Sequence, residues 1–386
     1  MSVPSARAKH LVLLGAGHAH VGVLRDFGLN PPSGVRLTLI SRRKLTPYSG
    51  MLPGLIAGLY QHHDAHIDTE PLAHFARADL IIDEAIGVDS TSKHVLFGDR
   101  APLPYDVLSI DIGATPSALS VPGVRDHAIP VKPIDGFLER FETARADILA
   151  NGEPTRIGVI GAGAGGVELL LAMHRRLSRD MTTAGGDASK LHFTLIDANN
   201  TILSTFPAKL QRRFSDILRT RKITVLTGGK VTSAARGGVE VERHDHVALD
   251  QIFWTTEATP APWLRDTGLA VDADGFIRVA QTLQSISHSN VFAAGDVAKI
   301  DGHATPRSGV YAVRAAAPLA ANLRRIVNDE PLITFTPQRD ALYLISTGER
   351  YAIGTRNGFT FGGRWVWWLK DWIDRRFMAQ YHDLPR

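Results

Sequence analysis

A chain of 386 residues, 44% hydrophobic and 21% charged, is long enough for two or three domains and carries no low-complexity tract. Its net charge of +4 comes from scattered basic residues, which argues against a nucleic-acid surface. It contains no cysteine, which excludes disulfides, thiolate zinc sites and thiol redox chemistry.

The polar start MSVPSARAKH has no signal-like apolar segment, and no run approaches the roughly 20 apolar residues of a bilayer span, so the expected location is cytoplasmic. The first predicted unit is the strand Leu11–Leu14, the turn GAGHAHVGVL, a helix near Val21–Phe27 and the strand Val35–Ser41. This βαβ pattern makes Gly15, Gly17, His18 and Ala19 a candidate phosphate loop, with His20 where a third glycine would stand. At the end of the second strand, Ser41 offers a hydroxyl to a ribose. Arg42 and Arg43 beside it suit either stacking on adenine or a solvated turn. The stretch LTPYSGMLPGLIAGLY has neither helix nor strand period and suits a wall beside a flat ligand. His62, His63, Asp64 and His66 read as a polar loop; with no second ligand cluster, no metal is expected.

A second unit opens at Arg156, with Gly161, Gly163 and Gly166 at full GxGxxG spacing. Its helix is expected to end near Ser178, with TTAGGDASK as an exposed loop. The following strand ends on Asp197, which suits a ribose 2′-hydroxyl and repels a 2′-phosphate, favouring NADH over NADPH; the alternative is a loop cap. Glu168, in the first helical turn, suits a catalytic role at a nicotinamide or as a proton relay, or simply complements the helix dipole. A hairpin tip is expected near His244. Farther on come a buried strand (DQIFW), a Gly-Asp turn at Gly295 and Asp296, and an alanine-rich helix from about Ser308. Three short β-like runs follow Pro331. In the tail GRWVWWLKDWIDRRFMAQY, read as a helix, Trp365, Trp368, Leu369, Trp372 and Ile373 share one side, with Lys370, Asp371 and Asp374 largely opposite. That side suits a membrane interface, or packing on the body of the protein or on a second subunit of a homodimer.

These pieces, in this order, resemble the two-dinucleotide flavoprotein superfamily of pyridine nucleotide–disulfide oxidoreductases. The resemblance implies an α/β fold: an FAD domain in two parts (1–118 and 257–330), an inserted NAD(P)H domain (119–256) and a small C-terminal α+β interface domain (331–386). It implies FAD on the first loop, NADH on the second and a ribityl contact from Asp296. YDVLSIDIGATPS, with Gly113, looks like the family's crossover strand; FWTTEATP looks like its second copy, with Glu257 replacing a glycine. Lacking cysteine, the chain resembles the type II NADH dehydrogenase branch; ISRRKLTPYSGMLPG, including Pro47, and the placement of Glu168 support that likeness. Gly309, Val310 and Tyr311 then face the flavin pyrimidine; Lys132 reads as a solvated lysine first and as a further flavin neighbour second. Arg314 stands where quinone-reducing relatives favour glutamine, which puts quinone in question as the acceptor. GAGHAHVGVL, TPYSGMLPG and WWLKDWIDRRFM also resemble the flavoprotein found alone or fused N-terminally to selenide, water dikinase. The implied function is hydride transfer from NADH to FAD and onward to a non-thiol small molecule, in the cytoplasm or peripherally on the inner face of the membrane. The rival readings are a flavin-binding sensor or scaffold, and a reductase serving selenium metabolism.

Overall fold

The computed structural model describes residues 7–116, 121–256, 258–303, 306–338 and 341–385. Two parallel sheets of five strands carry the molecule. In the first the order is Val291–Ala293, Val107–Ile110, Lys9–Leu14, Val35–Ser41, Ala78–Ile82, so the chain returns to this sheet after a long excursion. Leu11, Val12 and Leu13 are wholly buried, as befits a strand covered on both faces. Helix α1 (His18–Leu29) follows the glycine turn.

The excursion builds the second sheet, in the order Ile129–Pro130, Gln251–Trp254, Thr155–Ile160, Leu191–Asp197, Thr224–Thr227. Its central strand feeds helix α2 (Ala164–Thr183). This helix runs past the expected end at Ser178 because its last turns carry their own ion pairs. Asp180 takes Arg176 at 2.6 Å and Arg145 at 3.1 Å, so the polar sequence that looks like a loop is a salt-bridged helix. The strands Gly238–Val241 and Asp245–Ala248 form the expected hairpin beside His244.

Helix α3 (Gly309–Val327) packs along α1 and closes the first sheet. The β-like runs after Pro331 become an antiparallel sheet of Tyr343–Ser346, Ala352–Arg356 and Phe359–Gly363. Helix α4 (Arg364–His382) then lies against it with its charge pattern inverted. Asp371 and Asp374 are buried, whereas Trp365, Trp368 and Trp372 are 58%, 53% and 56% exposed. The inversion follows from what the charges find inside: Lys370 Nζ reaches Asp374 Oδ2 at 2.7 Å and the Gly50 carbonyl at 2.7 Å, and Tyr48 donates to Asp374 Oδ1 at 3.2 Å. Buried ions are tolerated when paired and hydrogen-bonded. Ser117 and Glu257, each quoted from a family motif, lie outside the described residues.

Candidate functional site

A cleft of about 280 Å³ opens at the C-terminal ends of the first sheet's strands, where ligands of such folds bind. Of the residues singled out by sequence, Gly15, Gly17, His18, Ser41, Arg42, Pro47, Gly113, Lys132, Asp296 and Gly309 line it. They come from six separate stretches of chain, brought together by the sheet order. Ala19 and His20 lie behind the loop, fully buried. Gly295 faces inward: a Cβ there would stand 2.3 Å from Asp111 Oδ1. Val310 is absent from the cleft wall. Tyr311 borders a smaller recess and hydrogen-bonds Tyr343.

His20 does more than fill the space of a glycine. Its Nδ1 donates to the Gly15 carbonyl at 2.6 Å, and its Nε2 lies 2.8 Å from Ser109 Oγ. A neutral imidazole satisfies both, taking the serine proton at Nε2; burial holds its pKa down at about 4. The imidazole thereby ties the loop to the neighbouring strand.

Lys132 Nζ pairs with Asp296 at 2.7 Å across the cleft, joining segments distant in sequence. His18 lines the cleft, and its Nε2 is buried with no hydrogen-bond partner in the protein. Burial lowers the His18 pKa to about 4, so this nitrogen serves as a neutral group. Gly15, with φ of 93°, leaves no room for a side chain: a Cβ would lie 2.4 Å from the Asp111 carbonyl. Glycines at the turn, a neutral imidazole, a lysine and the amino end of α3 at Gly309 are a donor set that fits a diphosphate and an isoalloxazine, so the residues present fit FAD.

Asp111 was missed as a site residue by sequence reasoning. It lines the cleft at 2% exposure, and its Oδ2 accepts from the amides of Ala19 (2.9 Å) and His20 (3.1 Å). The available signal was a lone carboxylate in the apolar strand end LSIDIGA. Arg43, Thr46, Ser49 and Trp263 also line the cleft.

The second loop repeats the design with true glycines. A Cβ on Gly166 would lie 1.8 Å from the Gly161 carbonyl, whereas one on Gly163 would meet open space. Gly166 thus serves close helix packing and Gly163 leaves an approach for a ligand. Asp197 Oδ2 accepts from the Ala162 amide and Oδ1 from Asn199 N at 2.7 Å, so this carboxylate also pins the loop. Glu168 lies away from the cleft wall, under the C-terminal sheet, and accepts from the Ser346 amide at 2.6 Å. Burial raises its pKa to about 7 against the pull of Lys370 and the Ser346 amide. Arg314 is exposed on α3. His62 and His66 stack at 3.8 Å, with His66 bonded to the His62 carbonyl, and among the described residues no group of three ligating side chains converges.

Residues 9–316 match the family model described as "Pyridine nucleotide-disulphide oxidoreductase". The chain is 29% identical over 331 residues to the NADH dehydrogenase-like protein YutJ of Bacillus subtilis, covering 86% of this chain and 87% of that protein. It is 21% identical over 383 residues to a type II NADH:quinone oxidoreductase of Staphylococcus epidermidis, covering 95% and 94%. Among solved structures, NDH2 from Plasmodium falciparum in complex with NADH shares the fold at a TM-score of 0.76 and 17% identity, over 98% of this chain and 99% of that one. The sulfide:quinone oxidoreductase of Aquifex aeolicus superposes at 0.80 and 19% identity, over 97% and 92%.

Proposed function

We propose, on the premise that the chain belongs to the pyridine nucleotide-disulphide oxidoreductase family, that the cleft holds FAD and the second glycine loop holds NADH. The protein is an FAD-dependent NAD(P)H oxidoreductase of the NADH dehydrogenase-like kind, passing electrons to a small-molecule acceptor. The observation that carries the reading is the pairing of the cleft with a second, open glycine loop on the same chain. A scaffold would need no second dinucleotide site. Relatives named for quinone reduction make a quinone the acceptor class.

When bound, FAD supplies the two-electron chemistry linking hydride donor to acceptor. The chain supplies placement and charge. Lys132 and Asp296 fix each other across the cleft, and the positive end of α3 at Gly309 favours negative charge there. Asp197 shapes the second loop and disfavours a 2′-phosphate. Glu168 holds or releases a proton near neutral pH within reach of the Lys370 charge. Anaerobic stopped-flow mixing of the FAD-loaded protein with NADH should bleach the flavin faster than NADPH does. A flavin that neither nucleotide bleaches would defeat this assignment.

The exposed face of α4 is where we place a peripheral membrane contact. It presents Trp365, Trp368 and Trp372, with Arg376 lying 5.3 Å from the Trp372 ring, while the buried acids Asp371 and Asp374 face inward. Aromatic rings with cationic neighbours suit an anionic headgroup layer. No helix among the described residues is long and apolar enough to cross a membrane. Replacing the three tryptophans by alanine should weaken sedimentation with phosphatidylglycerol vesicles by roughly tenfold or more. If the wild type ignores vesicles but dimerises through these tryptophans, a second copy covers the face instead.

A further inference from the structure

The two glycine loops share a backbone plan, and one of the charge differences between them lies beneath the first helical turn. Asp111 and Thr255 occupy equivalent places: each follows a neighbouring strand and donates its amide to the last residue of the central strand, Leu14 or Ile160, at 2.8 Å. Thr255 turns its hydroxyl back onto the carbonyls of Ile160 (2.8 Å) and Gly161 (3.0 Å). Asp111 instead reaches under the first turn of α1 and takes the amides of Ala19 and His20. Room for it comes from two glycines: a Cβ on Gly17 would lie 2.3 Å from the Asp111 carboxyl carbon, as would one on Gly295 from Oδ1. Those first-turn amides are the donors that a dinucleotide's diphosphate requires. The chain has placed a carboxylate of its own at an anion site.

We propose that Asp111 is a protonation-dependent latch on FAD binding: the ionised carboxylate holds the first-turn amides of α1 and repels the diphosphate, and the neutral carboxyl admits it. This rests on the reading that the cleft holds FAD. Charge balance then requires that one proton pass from solvent to Asp111 for each FAD bound wherever the free protein carries Asp111 ionised.

The surroundings put the switch in a useful range. Burial raises the Asp111 pKa, the amides of His20 and Ala19 lower it, and the nearby Asp296 raises it, for a value of about 7. Of the other groups facing it, His18 and His20 are held near 4 by burial and keep their charge state there. Asp296 pairs with Lys132 at 2.7 Å. A bound diphosphate adds negative charge and pushes the Asp111 proton affinity further up.

The test uses the full-length protein stripped of flavin and titrated with FAD from pH 6 to 9, following quenching of flavin fluorescence. Wild-type Kd should rise by about tenfold per pH unit above about 7, the limit for one obligatory proton. Asp111→Asn, which keeps the shape without the charge, should bind FAD with little pH dependence and at least about tenfold more tightly than wild type at pH 8.5. Calorimetry of the unmodified protein in buffers of differing ionisation enthalpy gives a second readout that needs no variant. It should show uptake approaching one proton per FAD at pH 8. Parallel pH curves for the two proteins, or no proton uptake by the wild type, would overturn the latch while leaving FAD in its cleft. Failure of both proteins to bind FAD at any pH would instead remove the cofactor assignment and the latch with it.

Discussion

Gly166→Ala should yield a protein that keeps its full complement of FAD yet is reduced by NADH about a hundredfold more slowly or worse. The added methyl group would stand 1.8 Å from the Gly161 carbonyl oxygen and 2.7 Å from Thr255 Oγ1. The first contact is with backbone, so no side-chain rotation relieves it. Helix α2 must back away from the strand Thr155–Ile160, carrying its first-turn amides out of register with a bound diphosphate. A misplacement on the scale of an ångström costs hydride transfer about two orders of magnitude. The FAD cleft contains no residue of α2, which is why the two effects separate. Stopped-flow reduction and the flavin-to-protein absorbance ratio measure them independently. Wild-type reduction rates would mean that the second loop is not the nicotinamide nucleotide's seat.

Lys370→Met should destabilise the fold by about 3–5 kcal/mol, the usual cost of leaving one member of a buried ion pair without its partner. The side chains of Lys370 and Asp374 are only 12% and 6% exposed, and the lysine also serves the Gly50 carbonyl. Burial acts to lower the Lys370 pKa, but the Asp374 and Glu168 carboxylates outweigh it and hold the amine charged. Removing it strands Asp374 and lets Glu168 titrate above its value of about 7. Urea unfolding checks the first consequence. Lys370→Met combined with Asp374→Leu should recover much of the loss; equal loss in single and double variants would show that packing, not charge, is responsible. The sign of the pH dependence is also set. Burial raises Glu168 from 4.5 to about 7, so its ionisation costs stability progressively as pH rises between those values, and Glu168→Gln should flatten that part of the curve.

The sequence by itself determined the two βαβ units, their glycine loops, the Gly-Asp turn and the helix beginning at Gly309. Each is a local matter of strand period, turn chemistry and spacing, and the apolar run Leu11–Leu14 reads as a covered strand because a glycine turn and a helix follow it. That Lys132 meets Asp296 follows from neither neighbourhood; it depends on Val291–Ala293 joining a sheet built from residues 9–110. The helical period of the tail was legible, but which side faced inward was not. An apolar stripe is normally buried, and only the waiting Tyr48, Gly50 and Glu168 made the charged side the stable interior choice. His20 could be seen as an intruder in a glycine motif, whereas its bond to Ser109 required the neighbouring strand. Asp111 shows the boundary most clearly. In sequence it is one acid at the end of a strand; only tertiary packing sets it beneath α1, where burial and the helix amides give that acid its charge-sensitive place.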